Sequence, residues 1–124
     1  MSKRINVYEK TDEILLFTNQ ETEKKYFSRS LHTQFIKRRI AKKIPIKVLA
    51  VQNKEAELLL KSDKESLRET KLLPPSFTFF SEIYLFQNKI ILIDVEEHII
   101  GILLDSEELY NIHKQLFNFL WQSL

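Results

Sequence analysis

Three apolar runs in the second half of the chain limit the possible folds most: "EIYLF" (82–86), "KIILID" (89–94) and "HIIGILLD" (98–105). Each has the length and the aliphatic and aromatic content of a β-strand. Only two residues (87–88) and three residues (95–97) separate them. A parallel crossover needs a dozen or more residues, so these strands can pair only as an antiparallel meander.

The first half has a different rhythm. "EILLFT" (13–18) is a short apolar run between polar clusters and predicts a strand buried on both faces. Residues 27–43 contain no Gly or Pro and place Phe27, Leu31 and Phe35 on one helical stripe and Ile36, Ile40 and Ile44 on a second. This pattern predicts a helix that touches neighbours on two sides. Pro45 ends it, and "IKVLAV" (46–51) predicts the next strand. Strand, helix and strand in so short a span imply a right-handed parallel crossover.

"NKEAELLL" (53–60) predicts a short helix, and "SDKESLRETKLL" (62–73) a second one, since Ser62 and Glu65 have capping-box spacing. Pro74 and Pro75 stop it. The last stretch, "SEELYNIHKQLFNFLWQSL" (106–124), predicts a packed helix with Leu109, Ile112, Leu116 and Leu120 on one face and Asp105 or Ser106 as cap. The expected fold is an α/β domain: a mixed sheet of about five strands, a parallel βαβ crossover followed by an antiparallel meander, with helices packed on it.

Length and composition set the remaining bounds. At 124 residues, with 44% apolar and 29% charged residues, the chain is expected to form one domain over 1–124, with residues 1–11 as a flexible lead-in. It has no cysteine, which excludes disulfides, thiolate catalysis and cysteine-ligated metals. No apolar run approaches the roughly 18 to 20 residues that span a bilayer. A cytoplasmic protein without membrane contact is expected. Net charge is +2, but eight Lys or Arg and no acid fall between Lys24 and Lys43, and seven acids against Lys89 alone between Glu82 and Glu108. Lys37, Arg38, Arg39, Lys42 and Lys43 are therefore candidate nucleic-acid contacts. Consecutive residues span about 200° of a helix, so a solvated basic helix is the plainer reading.

The stretch "QNKIILID" (87–94) resembles the HxKxxxxD signature of phospholipase D-like phosphodiesterases, with Gln87 at the histidine position, Lys89 at the lysine and Asp94 at the aspartate. The strand after it carries a glycine, Gly101, as in that superfamily. A longer stretch, "SDKESLRETKLLPPSFTFFSEIYLFQNKIILIDVEEHIIGILLDSEELYNIHKQLFNFLW", resembles the effector half of TrmB-like transcriptional regulators, and the resemblance covers roughly residues 12–124. That half is itself phospholipase D-like in fold and usually lacks the catalytic histidine. The regulators carry a winged-helix DNA-binding domain ahead of it, whereas here about a dozen residues precede the first strand. DNA contact is thus expected only through a partner or a domain outside this sequence.

The resemblance implies a non-catalytic regulatory, ligand-sensing and dimerisation domain. It further implies a homodimer and an anionic or sugar ligand held by Gln87 and Lys89, with no metal or cofactor. The alternative is a homodimeric phosphodiesterase or nuclease. Gln87 opposes it, since an amide supplies neither a nucleophile nor a group titrating near neutral pH. The plain alternative for the motif makes Lys89 a solvated turn residue and Asp94 a turn former. His32 and His113 are expected on helix surfaces and His98 at a strand start, with no pair at metal-ligand spacing. The "FTFF" cluster (77–80) could be a stacking platform for bases, but beside Pro74 and Pro75 it is expected to pack as a loop into the core or a dimer seam.

Overall fold

The computed structural model describes residues 13–124. The lead-in expected over 1–11 lies outside the described residues, as do the side chains of Arg29, Leu31 and His32. The elements run β1 (Ile14–Thr18), α1 (Gln20–Tyr26), α2 (Arg29–Ala41), β2 (Ile46–Ala50), α3 (Lys54–Lys61), a 3-10 turn (Lys64–Ser66), β3 (Arg68–Leu72), β4 (Glu82–Phe86), β5 (Lys89–Asp94), β6 (Ile100–Asp105) and α4 (Glu107–Ser123). They build one six-stranded sheet in the order β3-β2-β1-β4-β5-β6. Strands β1, β2 and β3 are parallel, and β4, β5 and β6 form the antiparallel meander beside β1.

The central strand alternates between two cores. Ile14 and Leu16 point to one face, where they meet Ile46, Val48, Ala50 and Ala56. Leu15 and Phe17 point to the other, against Leu49, Leu85, Ile90 and Phe117. Helices α2 and α3 supply Phe35, Ile36 and Leu59 beside Leu16 on the first face, and α4 covers the second with Phe117, Leu120 and Trp121. Full burial of Leu15, Leu49, Leu85 and Phe117 contributes roughly 2 to 3 kcal/mol each and dominates the stability of the sheet centre.

Four expectations change. The sheet has six strands, because residues 68–72 of the predicted helix over 62–73 form β3. Ser62 ends α3, and the Asp63 carboxylate accepts from Arg68 Nε (2.7 Å), Thr70 N (2.8 Å) and Thr70 Oγ1 (2.8 Å), which fixes a strand rather than a helix start. The predicted helix over 27–43 forms as the single helix α2, and an unexpected helix, α1, precedes it: Asn19 caps α1 by accepting from Glu21 N and Thr22 N, and Phe27 closes it in extended backbone. On α4 the sheet-facing side is Tyr110, Phe117, Leu120 and Trp121, while Leu109, Ile112 and Leu116 are exposed.

Helix α2 ends in a Schellman arrangement. Lys43 N donates to Ile40 O and Ile44 N to Arg39 O, with Lys43 at φ 58° in the left-handed region. The β4–β5 hairpin turns through Gln87 (φ 48°) and Asn88 (φ 63°), the two left-handed residues of a two-residue primed turn.

Candidate functional site

The hairpin decides where the signature residues stand. Gln87 lies in the turn rather than on the strand. Lys89, the first residue of β5, pairs across the sheet with Asp105 and forms an exposed ion pair with it (3.9 Å). Asp94 is at the other end of β5 and accepts from Glu96 N (3.1 Å). Five residue steps of strand put Lys89 and Asp94 roughly 16 Å apart. The structure therefore gathers no joint site from Gln87, Lys89 and Asp94.

The basic candidates also separate. Arg39 is buried, and its guanidinium donates to the carbonyls of Ile44 (2.9 Å), Leu67 (3.0 Å) and Ser66 (2.5 Å). Burial and nearby Arg68 lower its pKa from the ordinary value. Arg39 thus clamps the end of α2 to the loop before β3 and is closed to an outside partner. Lys37, Arg38, Lys42 and Lys43 are exposed. His98 is exposed ahead of β6, and His113 Nδ1 lies 2.7 Å from Leu109 O on α4. Among the described residues no cluster of three or more His, Cys, Asp or Glu is placed to hold a metal. The aromatic loop divides: Phe79 packs into the core beneath α4, and Phe80 is exposed.

Polar chemistry concentrates at the carboxyl end of β1. The chain steps outward from β1 to β3 and then returns to the other side of β1 as β4, which makes this end a switch point of the sheet. Asn19 is the hub there. Its Oδ1 caps α1 and accepts from Asn53 Nδ2 (3.2 Å), and its Nδ2 donates to Phe79 O (2.9 Å). Asn53 in turn caps α3. One side chain thus ties the first helix, the second crossover and the loop into β4.

Below Asn19 lies a buried acid. Glu82 opens β4 and is 1% exposed; Thr18 Oγ1 and Asn19 N hydrogen-bond to its carboxyl group. Burial first, and the neighbouring Glu23 second, push its pKa up to about 9. At neutral pH it keeps its proton and shares a hydrogen bond with Glu23. Gln20 Nε2 donates to Thr18 Oγ1 (2.9 Å) and Glu23 Oε2 (3.3 Å), closing a ring of four side chains. Burial, with the carboxyls of Glu23 and Glu82, also raises the Tyr84 hydroxyl.

Above Asn19 the surface opens into a cleft of about 340 Å³, with Tyr26 and Phe80 as aromatic walls and Glu21, Lys25 and Glu96 as charged groups. The lining reaches Asn19 and Thr22 but not Glu82, so the buried proton donor is walled off from it. Asp94 stands one residue before Val95, which lines the cleft; Gln87 and Lys89 stand at the far end of β5. Sequence reasoning missed Asn19, Glu82 and Tyr26, and weighed Phe80 only as part of the aromatic cluster over 77–80. Two signals were available: an Asn directly after a buried strand, and an acid at the start of an apolar one.

No family model matches the chain, and no curated protein matches it either. Solved structures do. The chain shares its fold with TrmBL2, an archaeal chromatin protein. The TM-score is 0.62 at 18% sequence identity, over 97% of this chain and 45% of that one. The TrmBL2 structure is described as showing a novel mode of DNA binding. The present chain spans less than half of TrmBL2, so the correspondence is one of domain architecture.

Proposed function

We propose that the chain is a non-catalytic effector domain of a TrmB-like regulator, which senses a small molecule and dimerises. The observation that carries this is the cleft at the carboxyl end of β1. It sits where open α/β sheets bind ligands, and its floor residue Asn19 is the cap of α1 and hydrogen-bonds to Asn53, the cap of α3, and to the loop leading to β4. A ligand pressing on that hub would act on three elements together. The fold shared with TrmBL2 supports a regulatory setting, and DNA contact would come through another domain or partner.

The wall chemistry favours a neutral polyhydroxyl ligand. Tyr26 and Phe80 offer apolar ring faces, and Glu21 and Glu96 offer acceptors for hydroxyl groups. Lys25 is the one cation against two carboxylates among the cleft-lining residues, a poor balance for an anion. Gln87 and Lys89 remain a proposed anion contact distinct from this cleft. The test is calorimetric titration of mono- and disaccharides. The expected result is saturable binding that Tyr26→Ala and Phe80→Ala each weaken at least about tenfold, as loss of a stacking face worth roughly 1.4 kcal/mol requires. Binding unaffected by both substitutions, or none at millimolar sugar, overturns the proposal.

A further inference from the structure

Helix α4 is apolar on two sides, and only one of them is used. Phe117, Leu120 and Trp121 pack on the sheet. Leu109, Ile112, Leu116 and Phe119 are 39%, 43%, 55% and 72% exposed. Their spacing of three, four and three residues is the seam period of paired helices rather than a random scatter of surface apolar residues.

Two contacts orient this stripe. Lys47 on β2 and Lys71 on β3 place their ammonium groups over the Trp121 ring, at 5.4 Å and 4.7 Å from its centre. At 100° per residue the stripe lies about 120–180° around the helix from Trp121, so it turns away from β2 and β3 towards the β6 side of the sheet. On β6, Ile102 pairs with Leu92, which packs into the core beneath α4, so Ile102 and, two residues away, Ile100 share that face. They are 45% and 47% exposed. The exposed parts of these six side chains amount together to an area on the order of 500 Å² per copy, and two copies reach the roughly 1,000 Å² that a specific interface needs.

We infer that this surface is a homodimer seam in which α4 pairs antiparallel with α4 of a second copy about a twofold axis. The inference rests on the dimerising part of the function proposed above and supplies its interface. Charge selects the orientation. Glu107 and Glu108 occupy the first turn of α4. A parallel pair would gather four carboxylates at one end. An antiparallel pair separates them, sending each Glu pair to its partner's last turn, which carries no acid. With 109 and 119 at the ends of the stripe, the antiparallel register sets Ile112 of each copy against Leu116 of the other.

Sedimentation equilibrium tests this with matched variants. The wild type is expected at about twice the 14.9 kDa chain mass. Ile112→Lys and Leu116→Glu, both on the exposed stripe, are each expected to weaken self-association more than about 100-fold while keeping wild-type circular dichroism. Mixed in equal amounts they should regain the dimer mass, because Lys and Glu then face each other in the antiparallel register; a parallel pair gives no such rescue. Ile91→Glu, on the other face of the sheet, should stay dimeric. A Leu116→Glu dimer, or a mixture that stays monomeric, overturns this interface and leaves dimerisation by another face standing. A wild type monomeric at all concentrations overturns the interface and the dimerising role together. Sugar binding by the Leu116→Glu monomer judges the sensing role separately.

Discussion

Thr18 and Glu82 join β1 to β4 at the point where the sheet changes from parallel to antiparallel, with Thr18 Oγ1 2.7 Å from Oε1 and 2.6 Å from Oε2 of the carboxyl group. The pair lies in the fully buried part of the molecule, so its protonation state is tied to folding.

Stability should fall as pH rises. In the unfolded chain Glu82 loses its proton near 4.5, whereas in the fold it holds it to about 9. Between those values the folded state binds more protons than the unfolded state, so unfolding becomes easier with each pH unit until the folded group also ionises. Thermal melts at pH 5 and pH 9 should differ by more than about 5 °C, with the lower melting temperature at pH 9. Glu82→Gln imitates the protonated acid and should flatten that slope. An equally steep slope in the variant would remove Glu82 as its cause.

Arg39 and Arg38 are neighbours with opposite fates. Arg39→Ala removes a donor from three carbonyls around the α2 end, of which Leu67 O keeps Ile46 N, and should cost about 3 kcal/mol in urea denaturation. Arg38→Ala, at an exposed position, should stay within about 0.5 kcal/mol of wild type. Equal effects would contradict the clamp.

Lys43 holds a left-handed backbone that glycine adopts without a side-chain penalty. Lys43→Gly should raise stability by about 0.5 to 1 kcal/mol in the same denaturation series. A loss of stability would mean that the Lys43 side chain contributes more than its conformation costs.

Restoring a histidine to the signature should not restore chemistry. Gln87→His places an imidazole in a hairpin turn, with Lys89 engaged to Asp105 and Asp94 at the far end of β5. No hydrolysis of a nitrophenyl phosphodiester is expected from the variant as a purified protein. Turnover that disappears on Lys89→Ala would reverse the non-catalytic reading.

The meander was legible because short connections leave a chain no alternative, and the β1–β2 crossover because Pro45 and two apolar runs mark it. Strand β3 was hidden. "RETKL" carries four polar residues of five, and what makes it a strand is non-local: the parallel ladder to β2 and the Asp63 carboxylate. The α4 periodicity was visible, but its assignment was not. Leu109, Ile112 and Leu116 satisfy a helical repeat as well as Tyr110, Phe117 and Trp121 do, and only the position of the sheet decides which row it covers.

The signature was misleading for a physical reason of the same kind. Residues two apart share a side only within a continuous strand, and the connection at 87–88, left-handed at both positions, keeps Gln87 off the strand that Lys89 begins. Asn19 could be read as a cap; that it also holds Asn53 and Phe79 depends on contacts across 34 and 60 positions of sequence.

Trp121 is the only tryptophan in the chain, and it lies stacked against Phe117 (centroids 5.8 Å apart) with two ammonium groups over its ring. Its emission is therefore a built-in optical gauge of how α4 sits on the sheet. A spectral shift on saturating the cleft, which opens at the carboxyl end of β1, would show in a single cuvette that the two regions communicate.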